Sequence, residues 1–158
     1  MKTIYLAGGC FWGMQRFIDS APGVIETSVG YANGKTINPT YEEVKRNNTG
    51  HAETVKTVFD ENILSLECLI RRFLQVIDPF SLNKQGEDEG IQYRTGIYYI
   101  DEDDSIIARK EIEKLEKEYG KKSFVEVLPL DNFYLAEEYH QKYLVKNPTG
   151  YCHIFTKF

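Results

Sequence analysis

The sequence predicts an α+β domain in which helices pack against a mixed β-sheet. Segments with alternating apolar residues are interleaved with segments of helical apolar spacing, without the strict rhythm of parallel βαβ units. The chain has 158 residues, 42% hydrophobic and 27% charged, which is ordinary for a water-facing globule with a real core. No repeat or low-complexity linker interrupts it, so residues 1–158 read as a single domain.

The elements follow in order. Residues 2–7 form a short strand that Gly8-Gly9 interrupts. Phe11, Met14, Phe17 and Ile18 then recur at helical spacing, giving a helix over 11–19. A strand at 24–31 leads into a turn-rich stretch, 32–40, and a short helix, 41–46. Residues 52–59, AETVKTVF, alternate as a strand. Residues 65–77 form an amphipathic helix capped by Ser65. It stops at Asp78-Pro79, because the residue before a proline is pushed out of helical space. A polar loop, 81–92, with Gly86 and Gly90, precedes a strand at 93–100. The helix over 102–119 has the clearest bounds, with acids at its start, lysines toward its end and Gly120 just beyond. A strand at 123–129, a short helix around 135–143 and a tail from 146 complete the order.

Composition removes several function classes. A net charge of −5 gives no electrostatic case for nucleic acid or an anionic membrane, and Arg71-Arg72 and Lys121-Lys122 are too short to change that. No apolar run approaches the roughly 20 residues that span a bilayer. The first apolar stretch is shorter than a signal-peptide core, so the chain reads as mature and cytoplasmic. The three cysteines, Cys10, Cys68 and Cys152, are too few and too odd in number for a disulfide framework and fit an intracellular thiol enzyme. Cys68 falls near Leu64, Leu69 and Leu74 in helical register and reads as core packing. His51, His140 and His153 are scattered; Cys152-His153 is only a weak metal signal, and no metal is expected.

The most informative residue is Cys10, in Leu6-Ala7-Gly8-Gly9-Cys10-Phe11-Trp12-Gly13. A strand that turns at two glycines into a helix places this thiol among unpaired N–H groups at the positive end of the helix dipole, a setting that stabilises a thiolate. Phe11 and Trp12, the only tryptophan, flank it and suggest a pocket for a small, partly apolar group. A buried cysteine in a glycine turn is the bland alternative.

Gly9-Cys10-Phe11-Trp12-Gly13 strongly resembles the active-site signature of the peptide methionine sulfoxide reductase A family. Further blocks match in order. They are Tyr41-Glu42-Glu43-Val44 with Thr49-Gly50-His51-Ala52-Glu53, then Asp78-Pro79, Gln85-Gly86, Asp88 and Gln92-Tyr93-Arg94. The last are Tyr139-His140-Gln141-Lys142-Tyr143-Leu144 and Lys146-Asn147-Pro148 with Gly150-Tyr151-Cys152. The resemblance implies a two-layer α/β sandwich with a ferredoxin-like mixed sheet and an irregular C-terminal tail. It implies reduction of methionine S-sulfoxide, free or protein-bound, as repair after oxidative stress, since one enzyme class serves each epimer.

By the same resemblance, Cys10 is the nucleophile and Glu53 the acid that protonates the sulfoxide oxygen. Tyr41 and Tyr93 hydrogen-bond that oxygen. Phe11 and Trp12 hold the methyl group, and Asp88 orients the substrate. The product on Cys10 is a sulfenic acid. Cys152 resolves it as a Cys10–Cys152 disulfide, which thioredoxin or a similar dithiol reduces without cofactor or metal. His51 and His140 are expected to support by hydrogen bonding, and the enzyme to be a monomer. Some family members carry a cysteine just after the Tyr-Glu-Glu-Val block, where this chain has Lys45. Two rival readings stand beside this one. A cysteine hydrolase or thiol peroxidase would need a different helper set, the hydrolase a histidine base beside Cys10. A redox sensor or methionine-peptide module would lack the acid or the nucleophile.

Overall fold

The computed structural model describes residues 1–46, 48–154 and 156–158. Its spine is β1 (Lys2–Ala7), which alternates as a two-faced strand: Ile4 and Leu6 enter one core, Tyr5 and Ala7 a second, smaller one. β1 pairs antiparallel with β3 (Ala52–Phe59) on one side and with β6 (Gly96–Tyr99) on the other. β3 in turn pairs with β2 (Val24–Ala32). In chain order these four strands lie side by side as fourth, first, third, second, the antiparallel order of a ferredoxin-like sheet. Two strands extend it: β7 (Glu126–Pro129) lies parallel to β6, and β8 (Phe133–Leu135) lies antiparallel to β2. The expected α+β sandwich is therefore present.

The helices cover one face. α1 (Phe11–Asp19) contributes Phe11, Met14, Phe17 and Ile18, at the spacing read from the sequence. α3 (Leu66–Val76) adds Leu66, Leu69, Ile70, Phe73 and Leu74. Each large apolar side chain buried this way contributes about 1.5–3 kcal/mol. Ser65 caps α3, its Oγ accepting from the Cys68 N–H at 3.1 Å. α4 (Glu102–Tyr119) ends at Gly120, whose φ of 62° is the left-handed cap that glycine takes without strain. α2 (Tyr41–Arg46) is the short helix expected between β2 and β3. No described helix is long and apolar enough to cross a membrane.

Four expectations need correction. The loop 81–92 contains a small hairpin, β4 (Lys84–Gln85) against β5 (Asp88–Glu89). The strand expected at 93–100 starts only at Gly96. Before it, Tyr93 N–H donates to Gly90 and Arg94 N–H to Ile91, coiling 91–93 into a 3₁₀ turn. The strand expected at 123–129 starts only at Glu126, because Phe124 N–H is drawn to the Pro79 carbonyl. The helix expected around 135–143 is absent. That stretch begins as β8, passes through a 3₁₀ turn at Glu138–His140 and becomes helical only in α5 (Tyr143–Lys146). The exposed edge of β2 outcompetes local helical spacing here. Beyond β8, the Gln141 amide stands in for a strand, accepting from Val29 N–H at 2.9 Å and donating to its carbonyl at 2.8 Å.

Candidate active site

Gly8 and Gly9 turn β1 into α1, and each is required for a different reason. A Cβ on Gly8 would lie 2.7 Å from Ile77 Cγ2, so the strand end packs too tightly for any side chain. Gly9 takes φ +76°, the left-handed step that reverses the chain, and its N–H donates to the Tyr93 carbonyl at 3.2 Å. Cys10 follows as the extended residue that precedes α1, and it is 8% exposed.

The helix start does not produce a resting thiolate. The N–H groups of Trp12 and Gly13 favour the anion, but burial pushes the Cys10 thiol well above its ordinary value, and the nearby Glu53 adds to it. This corrects the expectation drawn from the dipole alone. Desolvation at a closed turn outweighs two backbone donors.

Glu53 comes from β3, opposite Tyr31 of β2. β3 is buried on both faces here, so a glutamate that alternation would put in water is 2% exposed. Its Oε1 accepts from Phe11 N–H at 3.2 Å, which joins the acid to the turn carrying Cys10. Burial raises its pKa to about 8, despite the Phe11 N–H bond that pulls it down. It is therefore a neutral, proton-bearing carboxyl at pH 7.

Tyr41, at the start of α2, and Tyr93, in the 3₁₀ turn, converge on the same spot. Burial raises both phenols, and both feel Glu53, Asp88 and Cys10. Both stay O–H donors. Asp88 lies in the β4–β5 hairpin opposite Tyr151. Burial raises its carboxyl, and its Oδ2 is buried without a hydrogen-bond partner among the described residues. Such an orphaned acceptor is costly unless a ligand or water fills it.

The aromatic wall is fastened by histidine. Trp12 Nε1 donates to His140 Nδ1 at 3.0 Å, so the neutral ring of His140 carries its hydrogen on Nε2. Burial lowers the pKa of His140 and keeps it neutral. Trp12 stacks on Tyr143 with centroids 3.7 Å apart, and Tyr41 packs on His140 at 4.5 Å. Phe11, 1% exposed, packs between Tyr31 and His140 and forms the floor, whereas Trp12 remains partly open. His51 braces a different turn, accepting from Gly34 N–H at Nδ1 and bonding the Thr36 carbonyl through Nε2. Each of these two rings thus has a structural partner, although His140 Nε2, like both ring nitrogens of His153, is buried without a hydrogen-bond partner among the described residues.

Cys152 comes to the other side of the first turn of α1. Its Sγ lies 2.9 Å from where a Cβ on Gly13 would be, and Arg16 Nη2 donates to it at 3.1 Å. Cys10, Cys68 and Cys152 are all free thiols. Among the described residues, no group of three His, Cys, Asp or Glu gathers to hold a metal ion.

Of the residues selected from the sequence, Cys10, Phe11, Trp12, Glu53 and Cys152 lie at this turn or against it, Tyr41, Tyr93 and Asp88 lie near enough to act on Cys10 or Glu53, and His51 lies at another turn. Several partners were not foreseen. Tyr31 donates to Glu137 Oε1 at 2.8 Å, and Glu137 Oε2 accepts from Tyr41 N–H at 3.0 Å, fixing the start of α2. No periodic signal could reveal pairs so distant in sequence. Tyr143 and Tyr151 sat in recognisable blocks without a role. His153, in the sequence only a weak metal signal, has its Nε2 2.9 Å from a Cβ position on Gly9.

Comparison with known proteins gives one answer. The profile of the family described as "Peptide methionine sulfoxide reductase" matches residues 2–158. The chain is 62% identical over 153 residues to the peptide methionine sulfoxide reductase MsrA of Lachnoclostridium phytofermentans, covering 97% of this chain and 92% of that one. It is 58% identical to MsrA of Clostridium perfringens, covering 98% of both. Among solved structures, reduced Mxr1 from Saccharomyces cerevisiae superposes with a TM-score of 0.92 at 35% identity, over 99% of this chain and 92% of that one. Methionine sulfoxide reductase A of Corynebacterium diphtheriae gives 0.87 at 37%, over 96% and 77%. Mxr1 in complex with Trx2 shares the fold, with a TM-score of 0.66 at 22% identity, over 99% and 90%. A neutral acid and two phenols around a cysteine, together with this match along the whole chain, place the protein in the peptide methionine sulfoxide reductase family, as an MsrA-type oxidoreductase that reduces methionine sulfoxide.

Proposed function

We propose that the chain, acting as one cytoplasmic, monomeric domain, reduces the S epimer of methionine sulfoxide to repair oxidised proteins and free methionine. The observation that carries this reading is the neutral carboxyl of Glu53, hydrogen-bonded to the turn that bears Cys10. Sulfoxide sulfur is a poor electrophile until its oxygen is protonated. Glu53 gives that proton while Tyr41 and Tyr93 hydrogen-bond the oxygen as charge develops on it. Cys10 attacks the sulfur, and its own thiol proton restores the Glu53 carboxyl. The oxygen passes to Cys10 as a sulfenic acid, and methionine leaves. Trp12 and Phe11 hold the methyl group, and Asp88, with its unpartnered Oδ2, accepts from an N–H of the substrate.

Cys152 then attacks the sulfenic sulfur, and thioredoxin or a similar dithiol reduces the resulting disulfide. Mxr1, which shares the fold, forms a complex with Trx2. No metal or organic cofactor enters. The test is a single turnover of reduced enzyme with each epimer, without external reductant, counting methionine and free thiols. One methionine per enzyme from the S epimer alone, with two thiols lost, is expected. No methionine from either epimer would defeat the proposal.

A further inference from the structure

We propose that Arg16 is a positioning residue for the resolving thiol, holding Cys152 in a notch on α1 before any sulfenic acid forms. This rests on the reading of Cys152 given above. The notch exists because position 13 is glycine: a Cβ there would stand 2.9 Å from Cys152 Sγ. Arg16, one turn further along the helix, closes it. The guanidinium Nη2 donates both to Cys152 Sγ at 3.1 Å and to the Ile154 carbonyl at 3.2 Å. That carbonyl also accepts from the Cys152 thiol at 2.9 Å, and Ile154 N–H faces the sulfur at 3.4 Å. Ile154 is itself buried in the main core, which anchors the local loop. Further on, Phe158 N–H bonds to Ser20 Oγ, and the Phe158 ring packs on Phe17, so the tail is strapped along α1.

This arrangement suits the second step. The Cys152 sulfur donates its electron pair to the Cys10 sulfenic sulfur. The S–S bond forms as the S–O bond breaks, and the oxygen leaves as water with the proton that Cys152 gave up. A fixed cation beside the attacking sulfur balances its negative charge, and the second bond, to Ile154, limits where that sulfur can go. Cys10 precedes Gly13 by three residues, less than one helical turn, so the docked sulfur has a short path.

The guanidinium is exposed, so its replacement should leave the fold intact. The test is rapid-quench single turnover of reduced full-length enzyme with a methionine S-sulfoxide peptide, in wild type, Arg16→Met, Arg16→Lys and Cys152→Ser. Methionine release, free thiols and dimedone-trapped Cys10 are followed together. Arg16→Met should release methionine at the wild-type rate, form the disulfide at least 10-fold more slowly, and accumulate dimedone-labelled Cys10. Arg16→Lys should recover a large part of the disulfide rate, which a merely structural defect would not do. Disulfide formation in Arg16→Met at the wild-type rate would overturn the role of Arg16. Loss of a second thiol in Cys152→Ser would instead overturn the resolving role of Cys152, and absence of a methionine burst in wild type would overturn the reductase chemistry.

Discussion

Cys10 and Cys152 approach the same helical turn from opposite environments. Around Cys10 the protein is dry and proton-rich, with Glu53 neutral despite the opposing charge of Lys45, and Tyr41 and Tyr93 held as donors. Around Cys152 it is partly open and cationic, with Arg16 on the sulfur. On the proposed mechanism, the contrast teaches that a thiol does not need to be ionised at rest to be a nucleophile. In that mechanism, the first site stores protons because its reaction delivers one to an oxygen. On the same mechanism, the second gives up a sulfur electron pair, and the arginine proposed to position it serves that end.

The largest expected effect tests this division of labour. Cys10→Ser should lower methionine formation by about 10³-fold or more, because the attacking sulfur is gone. Cys152→Ser should leave one methionine per enzyme and a trapped sulfenic acid on Cys10. Quenched single turnovers with mass detection of Cys10 decide it. Equal loss in both variants would show that the two thiols act as a single unit.

Glu53→Gln comes next. Removing the proton donor should slow methionine formation about 10²- to 10⁴-fold. The wild-type first step should also fall above pH 8, as the Glu53 carboxyl, titrating at about 8, loses its proton. The variant should lack that descent. Stability follows the same group with a defined sign. The folded pKa is above the unfolded value of 4.5, so the folded state keeps the proton longer. Stability owed to this group is full below pH 4.5 and drains away between pH 4.5 and about 8, by on the order of 5 kcal/mol. Denaturation at pH 5 and pH 9 should therefore show Glu53→Gln near parity at the first and more stable than wild type at the second. A wild type no weaker than the variant at pH 9 would mean that the carboxyl is not held neutral.

Trp12→Phe sharpens the dry side of the comparison. It keeps an aromatic wall but removes the Nε1 donor, leaving His140 Nδ1 buried without its partner. The expected cost is about 1–3 kcal/mol, or a fall in Tm of roughly 3–10 °C for a chain of this size. KM should rise as the wall loosens on Tyr143. An unchanged Tm would show that another group satisfies His140.

What was legible in the sequence follows the same boundary. The strand–Gly–Gly–Cys–helix turn could be read from residues 2–19 because propensity, spacing and burial agree there. The motif blocks also led to Glu53, Tyr41, Tyr93 and Asp88, although alternation alone would have sent Glu53 to solvent. The stretch 133–146 could not be read, because its backbone serves the edge of β2, more than a hundred residues earlier in the chain. The thiol state of Cys10 is illegible in the sequence for a related reason. The dipole is a local feature, whereas the burial of Cys10 is built by the fold around it. Arg16 was invisible as a partner because a basic residue on an amphipathic helix has no signature until the tail is seen lying on it.

Cys68 supplies the smallest expected effect and the sharpest control. It sits on α3, where the exposed Arg71 is near enough to interact with it by charge but, among the described residues, no arginine hydrogen-bonds its sulfur. It is half-buried at the edge of the core, not fully inside as its register suggested, because the buried face of α3 runs through Leu66, Leu69, Ile70 and Phe73. Cys68→Ala keeps the N–H that Ser65 caps and improves helix propensity, while losing part of a small apolar contact. These effects nearly cancel, so stability should change by no more than about 1 kcal/mol in chemical denaturation. In single turnover this variant should still lose two thiols per methionine, at the wild-type rate. If it loses only one, Cys68 is the resolving thiol. A sulfur without the Arg16 bond would then suffice, and the contrast between the two ends of the turn would carry no catalytic meaning.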